Sequence, residues 1–159
     1  MKKIKEFYVS CHGTELPLEL YSLDYIWDKL NKNKNLFGML VKMESATKAK
    51  IKQLYNGNSN ELGKNTRYFA YIKFFKHNRE SYGIVGGKTN YTNPDLNFDM
   101  KKAKNDNRYS RNFLHTKGLN WDETIIIVNH KPTDSEEADE KEALFVECYL
   151  QRIFNLFES

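Results

Sequence analysis

The sequence predicts an α+β domain in which a small antiparallel three-stranded sheet is flanked by helices. Two strand-like runs, at residues 67–75 and 81–85, are separated by a short polar turn and predict a hairpin. A continuous β-branched run at 124–128 is the strongest strand signal in the chain. An apolar stripe of helical period at 142–154 predicts an amphipathic C-terminal helix.

The polar stretch at 56–65 is the candidate boundary between two parts of the chain. It divides a mainly helical N-terminal elaboration, residues 1–65, from the core at 66–159. The elements predicted for the elaboration are a short strand at 4–10, a helix at 23–31 capped by Ser22, and a helical stretch between 36 and 55.

Within the core, the predicted order is strand, strand, helix, strand, helix. A turn at 76–80 closes the hairpin, and a polar loop at 90–99 leads into a helix at about 100–117. The final helix is expected to begin at Asp134 or Ser135, where acidic residues in the first turns suit the helix dipole.

The chain has 159 residues, enough for one compact domain, and a net charge of +4. Residues 134–142 carry six acids and one base, so the rest of the chain is more basic than the total suggests. A basic body suits a polyanionic partner such as DNA. The alternative is that the lysine- and asparagine-rich composition reflects an AT-rich genome, as in a phage or mobile element.

Two cysteines, Cys11 and Cys148, form no disulfide framework. The N-terminus has no apolar signal sequence, and no run approaches the roughly 20 apolar residues of a membrane span. These features predict a cytoplasmic protein without a membrane partner.

The Gly86–Thr89 turn carries the letters Gly-Gly-Lys-Thr, which suggest a phosphate-binding P-loop. A Walker A motif requires a glycine at the position that Tyr82 occupies here, and a helix directly after the turn. The context therefore argues against a nucleotide-binding P-loop.

Arg111 and His115 are four residues apart on the predicted helix, so they project from one face, which Arg108 extends. An arginine that forks onto phosphate oxygens beside a histidine suits phosphodiester binding and proton transfer. The alternative is an ordinary solvated helix face. The other expected DNA contacts on this helix are Lys101, Lys102 and Lys104.

Three tyrosines occupy the predicted hairpin. Tyr68 and Tyr71 fall on opposite faces of the first strand, and Tyr82 begins the second. Aromatic residues on strands usually serve packing, and that is the default for each of them. No group of His, Cys and Asp has the spacing of zinc ligands.

Glu147 lies at the edge of the apolar stripe of the final helix, whose members include Ala143, Val146 and Leu150. A carboxylate bordering a buried face costs free energy unless it is paired, hydrogen-bonded or bound to a metal. Its position predicts a partner, either a basic side chain or a cation.

Taken in order, these pieces resemble the GIY-YIG nuclease family over roughly residues 66–157. The segment 142–151 is similar to the family's E-A-L-x-x-E-x-x-L-I helix, in which the second Glu binds the metal. Residues 69–72, Phe-Ala-Tyr-Ile, lie where the family has Gly-Ile-Tyr, and 85–89 lie where it has its Tyr-Ile/Val-Gly-Lys-Thr motif. Arg111 and His115 resemble the R-x-x-x-H pattern of the family's restriction endonucleases.

The resemblance implies a metal-dependent DNA endonuclease with one Mg²⁺ or Mn²⁺ on Glu147. The N-terminal elaboration is expected to supply either target specificity or the contact of a homodimer. The catalytic residues that it implies are Tyr71, Tyr82, Lys88, Arg111 and His115.

The chain departs from the family pattern at Phe69, where the family has Gly, and at Val85, where it has Tyr; Tyr82 lies three residues before Val85. These departures leave a second interpretation open, in which the chain is a catalytically degenerate member of this fold that binds DNA or a protein without cutting. In a third reading, Glu147 pairs only with a Lys or Arg in a structural module.

Overall fold

The structure, a computed structural model, describes residues 4–11, 14–57, 67–96, 120–130, 133 and 135–158. The elements of the described residues are, in chain order, β1 (Ile4–Cys11), β2 (Thr14–Tyr21), α1 (Leu23–Lys32), a short 3₁₀ helix (Lys34–Leu36), β3 (Met39–Met43), α2 (Lys48–Gly57), β4 (Tyr68–His77), β5 (Glu80–Asn90), β6 (Asn120–Asn129), α3 (Glu136–Ile153) and β7 (Phe157–Glu158).

The α+β class is confirmed, but the predicted three-stranded sheet is wrong. Four antiparallel strands lie in the order β3–β6–β4–β5, and the two-residue β7 adds to β5 in parallel. The additional antiparallel strand, β3, pairs Val41 with Ile127 of β6. Its sequence, Met-Leu-Val-Lys-Met, is a short run in which periodicity cannot distinguish a strand from a helix.

The N-terminal part is less helical than predicted. The strand at 4–10 is confirmed as β1, which forms a separate two-stranded antiparallel sheet with β2. The helical stretch expected somewhere between 36 and 55 is confirmed as α2, which ends slightly beyond that range, but residues 14–21 and 39–43 of the part expected to be mainly helical are strands. The division of the chain after residue 65 stays a prediction, and most of its polar linker lies outside the described residues.

Helix α1 begins where the sequence predicts. The Ser22 hydroxyl accepts a hydrogen bond from the backbone N–H of Tyr25 at 3.3 Å, which satisfies one of the free donors of the first turn. Ile26 and Leu30, four residues apart, are buried on the face that packs on the sheet.

The β4–β5 hairpin is confirmed, with longer strands and a tighter turn than predicted. Asn78 and Arg79 connect the strands and both have positive φ, 51° and 70°, which is the signature of a type I′ turn. This turn matches the right-handed twist of the strands, so pairing extends from Tyr68↔Asn90 to His77↔Glu80 with a bulge after Lys73.

Helices cover both faces of the main sheet. One face packs Ala70 and Ile72 of β4 against side chains of α1 and α3, including Ile26 and Val146. The other face packs a second cluster of core residues against α2; its buried members are Ile51, Phe69, Tyr71, Tyr91, Leu96, Ile125 and Ile127. Because alternate residues of a strand point to opposite faces, this double coverage explains why β4 is buried almost continuously.

Candidate functional site

Helix α3 holds Glu147 at the margin of the core. The helix begins at Ser135, whose hydroxyl accepts a hydrogen bond from Ala138 N at 3.1 Å, so the second of the two predicted caps is the one used. Val146 and Leu150 are buried against the sheet, and Glu147 beside them is half-buried. Its place at the edge of the apolar stripe agrees with the helical period.

Two contacts attach the Glu147 side of α3 to strand β5. Lys88 Nζ lies 3.3 Å from Glu140 Oε1, and Gln151 Nε2 donates to the Gly86 carbonyl at 2.9 Å. Glu140 is seven residues before Glu147 and Gln151 is four after it, so all three side chains share one helix face. Glu147 therefore lies between two contacts that fix this face against the Gly-Gly-Lys-Thr segment.

Tyr68 and Arg67 extend this contact line at the start of β4. Arg67 Nη1 lies 3.0 Å from Glu136 Oε2, and the Tyr68 hydroxyl donates to Glu136 Oε1 at 3.3 Å. Burial, followed by the charges of Glu140 and Glu136, raises the pKa of Tyr68 above its ordinary value. The rim beside Lys88 thus combines carboxylates, a phenol and cations on one side of the sheet.

Tyr71 lies on the opposite face of the sheet. Its side chain is fully buried, with its ring 6.2 Å from that of Phe69. It belongs to the cluster under α2, whereas the residues beside Glu147 belong to the cluster under α3. The structure therefore does not bring Tyr71 to the face where Glu147 lies.

Tyr82 lies near the other end of β5. Its hydroxyl donates to Glu80 Oε2 at 2.7 Å. Burial and, next, the hydrogen bond and charge of Glu80 raise the pKa of Tyr82 to about 12. Tyr82 thus stays protonated at neutral pH. Its Cα lies about 20 Å from the Cα of Lys88, because six residues of a strand separate them at roughly 3.3 Å each.

The remaining predicted site residues lie outside the described part of the chain. They are Arg111, His115, Arg108, Lys101, Lys102 and Lys104. Their roles, and the helix predicted for 100–117, stay predictions.

The described residues include His, Cys, Asp and Glu side chains, which are the usual metal ligands in proteins. Among them, no group of three or more His, Cys, Asp and Glu side chains could hold a metal ion. Mg²⁺ is often bound by one or two carboxylates, with waters and substrate phosphates as the other ligands. A single carboxylate such as that of Glu147 could contribute one ligand to a site of this kind.

A polar cavity of about 620 Å³ opens at the turn end of the β4–β5 hairpin. Asp122, at one wall, accepts hydrogen bonds from Ser81 Oγ and from Thr124 N. Burial raises the pKa of Asp122, but these hydrogen bonds and the charge of Lys76 outweigh it and hold that pKa below its ordinary value.

Sequence reasoning missed this cavity. Its lining residues come from the end of β3, the start of α1, the hairpin turn and the start of β6, which are far apart in the chain. The predicted site residues of the described ranges, Tyr71, Tyr82, Lys88 and Glu147, do not line it. No local motif joins the lining residues, so only the fold reveals them.

Comparison with known proteins found no matching family model, no similar curated protein and no similar solved structure. Within the described ranges, no helix has both the length and the apolar character needed to cross a membrane.

Proposed function

We propose that this chain is a metal-dependent DNA endonuclease of the GIY-YIG type, with Mg²⁺ or Mn²⁺ held by Glu147. The observation that supports it best is the attachment of the Glu147 face of α3 to the Gly86–Lys88 segment through Lys88–Glu140 and Gln151–Gly86. These are the two motif segments whose cooperation the resemblance implies. Side chains carried by a helix and a strand keep fixed positions, as a reaction centre requires.

Each residue in the proposal has a distinct task. Glu147 would hold the ion through a carboxylate oxygen, and the bound ion would polarise the scissile phosphate and stabilise charge on the leaving oxygen. Lys88 would attract a DNA phosphate to the same rim, and Arg111 would neutralise charge in the transition state. Because Tyr71 is buried on the other face and Tyr82 is held protonated, we assign proton transfer to His115.

The test is cleavage of supercoiled plasmid by the purified protein with Mg²⁺ or Mn²⁺. We expect Glu147→Gln to lose more than about 100-fold in rate, since loss of even an outer-shell partner of a metal ligand costs about 10- to 100-fold. Glu142→Gln is the matched control, because Glu142 is an exposed carboxylate of the same helix, and it should retain activity. Absence of cleavage with either metal, or equal cleavage by Glu147→Gln, would refute the proposal.

A second candidate function is DNA binding without cleavage. The complete burial of Tyr71 and the protonated state of Tyr82 favour it, because neither side chain can act as a base from these positions. In this case the protein should bind plasmid with an affinity that falls steeply with salt, as expected for lysine and arginine contacts to phosphates. Binding that is equal for wild type and Glu147→Gln, with no cutting by either, would support this candidate over the first.

A further inference from the structure

The outer face of α3 exposes large apolar side chains. Phe145 is 69% exposed, Leu144 is 44% exposed and Tyr149 is 40% exposed, although Val146 and Leu150 of the same helix are buried. Single exposed apolar residues are ordinary, but three grouped on one helix form a patch of the kind that marks interaction sites.

Charged residues flank this patch in an asymmetric way. Glu137 lies on the same outer face in the first turns of α3, and Arg152 lies on it in the last turn, 15 residues later. The helix rise places their Cα atoms about 22 Å apart. Lys141 lies between Glu137 and the apolar centre, and Cys148 lies between the apolar centre and Arg152. Both residues are exposed.

When two copies of this helix face are placed antiparallel, their charged residues are complementary. A two-fold axis between Leu144 and Phe145 places Glu137 of each copy opposite Arg152 of the other copy. Two pairs of opposite charge therefore form. The same axis sets Leu144 opposite Phe145 and Lys141 opposite Cys148, so no like charges oppose each other. A parallel pairing would instead place Glu137 against Glu137 and Arg152 against Arg152, which costs free energy.

We propose that this outer face of α3 binds the same face of a second copy of this chain, with the two helices antiparallel. Isologous contacts of this kind are the commonest way in which soluble proteins form dimers. The intrahelical pair of Glu137 with Lys141 spans 3.5 Å and is highly exposed, so it competes little with the pairing to Arg152.

The central residue of the dimer contact, Phe145, points away from Glu147, and Leu144 at the edge of the contact is about 60° from Glu147 around the helix. Phe145 and Glu147 are two residues apart, which separates their directions by about 160° around the helix. The proposal is therefore independent of the nuclease proposal. One helix per protomer makes a small interface, so we expect a dissociation constant in the micromolar range.

Sedimentation equilibrium over a concentration series, under reducing conditions, tests the proposal. Wild type should dimerise, and Phe145→Ser should raise the dissociation constant by at least about 10-fold, as for a central anchor residue. Leu36→Ser is the matched control, because Leu36 is 64% exposed but lies outside α3, and it should leave the constant unchanged. Circular dichroism confirms that α3 remains folded in each variant.

Charge reversal tests the register. Glu137→Arg alone and Arg152→Glu alone should each weaken self-association by about 10-fold, because each creates two repulsive pairs. An equimolar mixture of these two variants should associate about as well as wild type, because every pair across the two-fold axis is then opposite in charge.

Three outcomes would overturn the proposal: a wild type that stays monomeric up to about 1 mM, a dimer that Phe145→Ser does not weaken, or a mixture that associates no better than either variant alone. The first would leave the patch to a different partner.

Discussion

At the scale of single residues, polar side chains of the β4–β5 hairpin have specific partners, both within the hairpin and in other elements. Ser81 donates to Asp122 of β6, Tyr82 donates to Glu80, and Lys88 pairs with Glu140 of α3. These contacts decide what each group can do chemically. A phosphate that binds Lys88 would have to compete with Glu140 for this cation, and a protonated phenol beside a carboxylate cannot accept a proton.

Tyr82 gives a prediction for alkaline pH. Its pKa is raised to about 12 in the folded protein, whereas an unfolded tyrosine has a pKa near 10. The fold therefore favours the neutral phenol, and the stability that this contributes is fully present below pH 10 and is lost as the pH rises through about 12. We expect Tyr82→Phe to reduce the loss of unfolding free energy over this interval, as measured by urea denaturation at several pH values.

Tyr149→Phe serves as the control, because Tyr149 is 40% exposed and lies outside the hairpin. It removes one phenol without touching the Tyr82–Glu80 contact, so a change that both variants share does not come from that contact. If Tyr82→Phe and wild type lose stability equally between pH 10 and 12, the account of Tyr82 is wrong.

The alternation of side chains along β4 predicts which face of the sheet each of its tyrosines occupies. The prediction that Tyr68 and Tyr71 occupy opposite faces is confirmed: Tyr68 reaches Glu136 of α3, and Tyr71 is buried in the cluster under α2. Strand alternation alone is enough to predict this separation. Strand alternation does not reveal which helix covers which face. The sequence alone is therefore compatible with a shared site for Tyr71 and Glu147.

At the scale of elements, local signals placed the helix starts accurately. Ser22 and Ser135 are both observed as N-caps, because a serine hydroxyl can accept a backbone N–H that the first turn leaves free. Helix α3 also carries Glu136, Glu137 and Asp139 in its first turn, where the helix dipole favours negative charge.

The Ser135 cap gives a prediction for α3. Ser135→Ala removes the acceptor for Ala138 N, so we expect a loss of about 1 kcal/mol in the free energy of unfolding, measured by chemical denaturation. Ser135→Asp should retain most of the stability, because aspartate is an equally good cap and complements the dipole. Equal loss in both variants would show that the hydroxyl stabilises the protein by something other than capping.

Strand β3 is one of the elements that local signals missed. Its five residues are too few to establish a period of two, and its neighbours in the sequence have helical patterns. The pairing with β6 supplies its backbone hydrogen bonds, and these partners are more than 80 residues apart in the chain. An edge strand that is defined by such a long-range pairing can therefore be identified only from the tertiary structure.

At the scale of the whole molecule, Gly83 is the point where several elements meet. A Cβ at Gly83 would lie 2.6 Å from Ile26 Cδ1 of α1 and 3.3 Å from Leu156 Cδ2 near the C-terminus. Ile72 Cγ2 of β4 lies 3.4 Å away. The close approach of α1 to the sheet therefore depends on the absence of a side chain at this position.

We expect Gly83→Ala to destabilise the protein by about 1–3 kcal/mol, the usual cost of overpacking, as measured by chemical denaturation. The nearest atom is the end of the Ile26 side chain, so Ile26→Val should relieve part of the clash. Ile26→Val alone should cost about 0.5–1.5 kcal/mol. The double variant should then be more stable than the sum of the single effects predicts.

Additive effects in this cycle would show that Ile26 is not the atom group that limits the space at Gly83. A negligible effect of Gly83→Ala alone would mean that α1 does not pack this closely on β5. Both outcomes are read from the same denaturation curves, and far-UV circular dichroism checks that the variants keep their secondary structure.

The amino-acid sequence by itself determined the α+β class, the hairpin, the strand at 124–128 and the helix that carries Glu147, because local periodicity, caps and turn residues encode these features. Only the tertiary structure decided that the sheet has a fourth antiparallel strand, that Tyr71 and Glu147 lie on opposite faces, and that a polar cavity opens beside Asp122. The physical reason is that these properties depend on contacts between residues distant in the chain. A strand buried on both faces carries no local record of which helix covers each side.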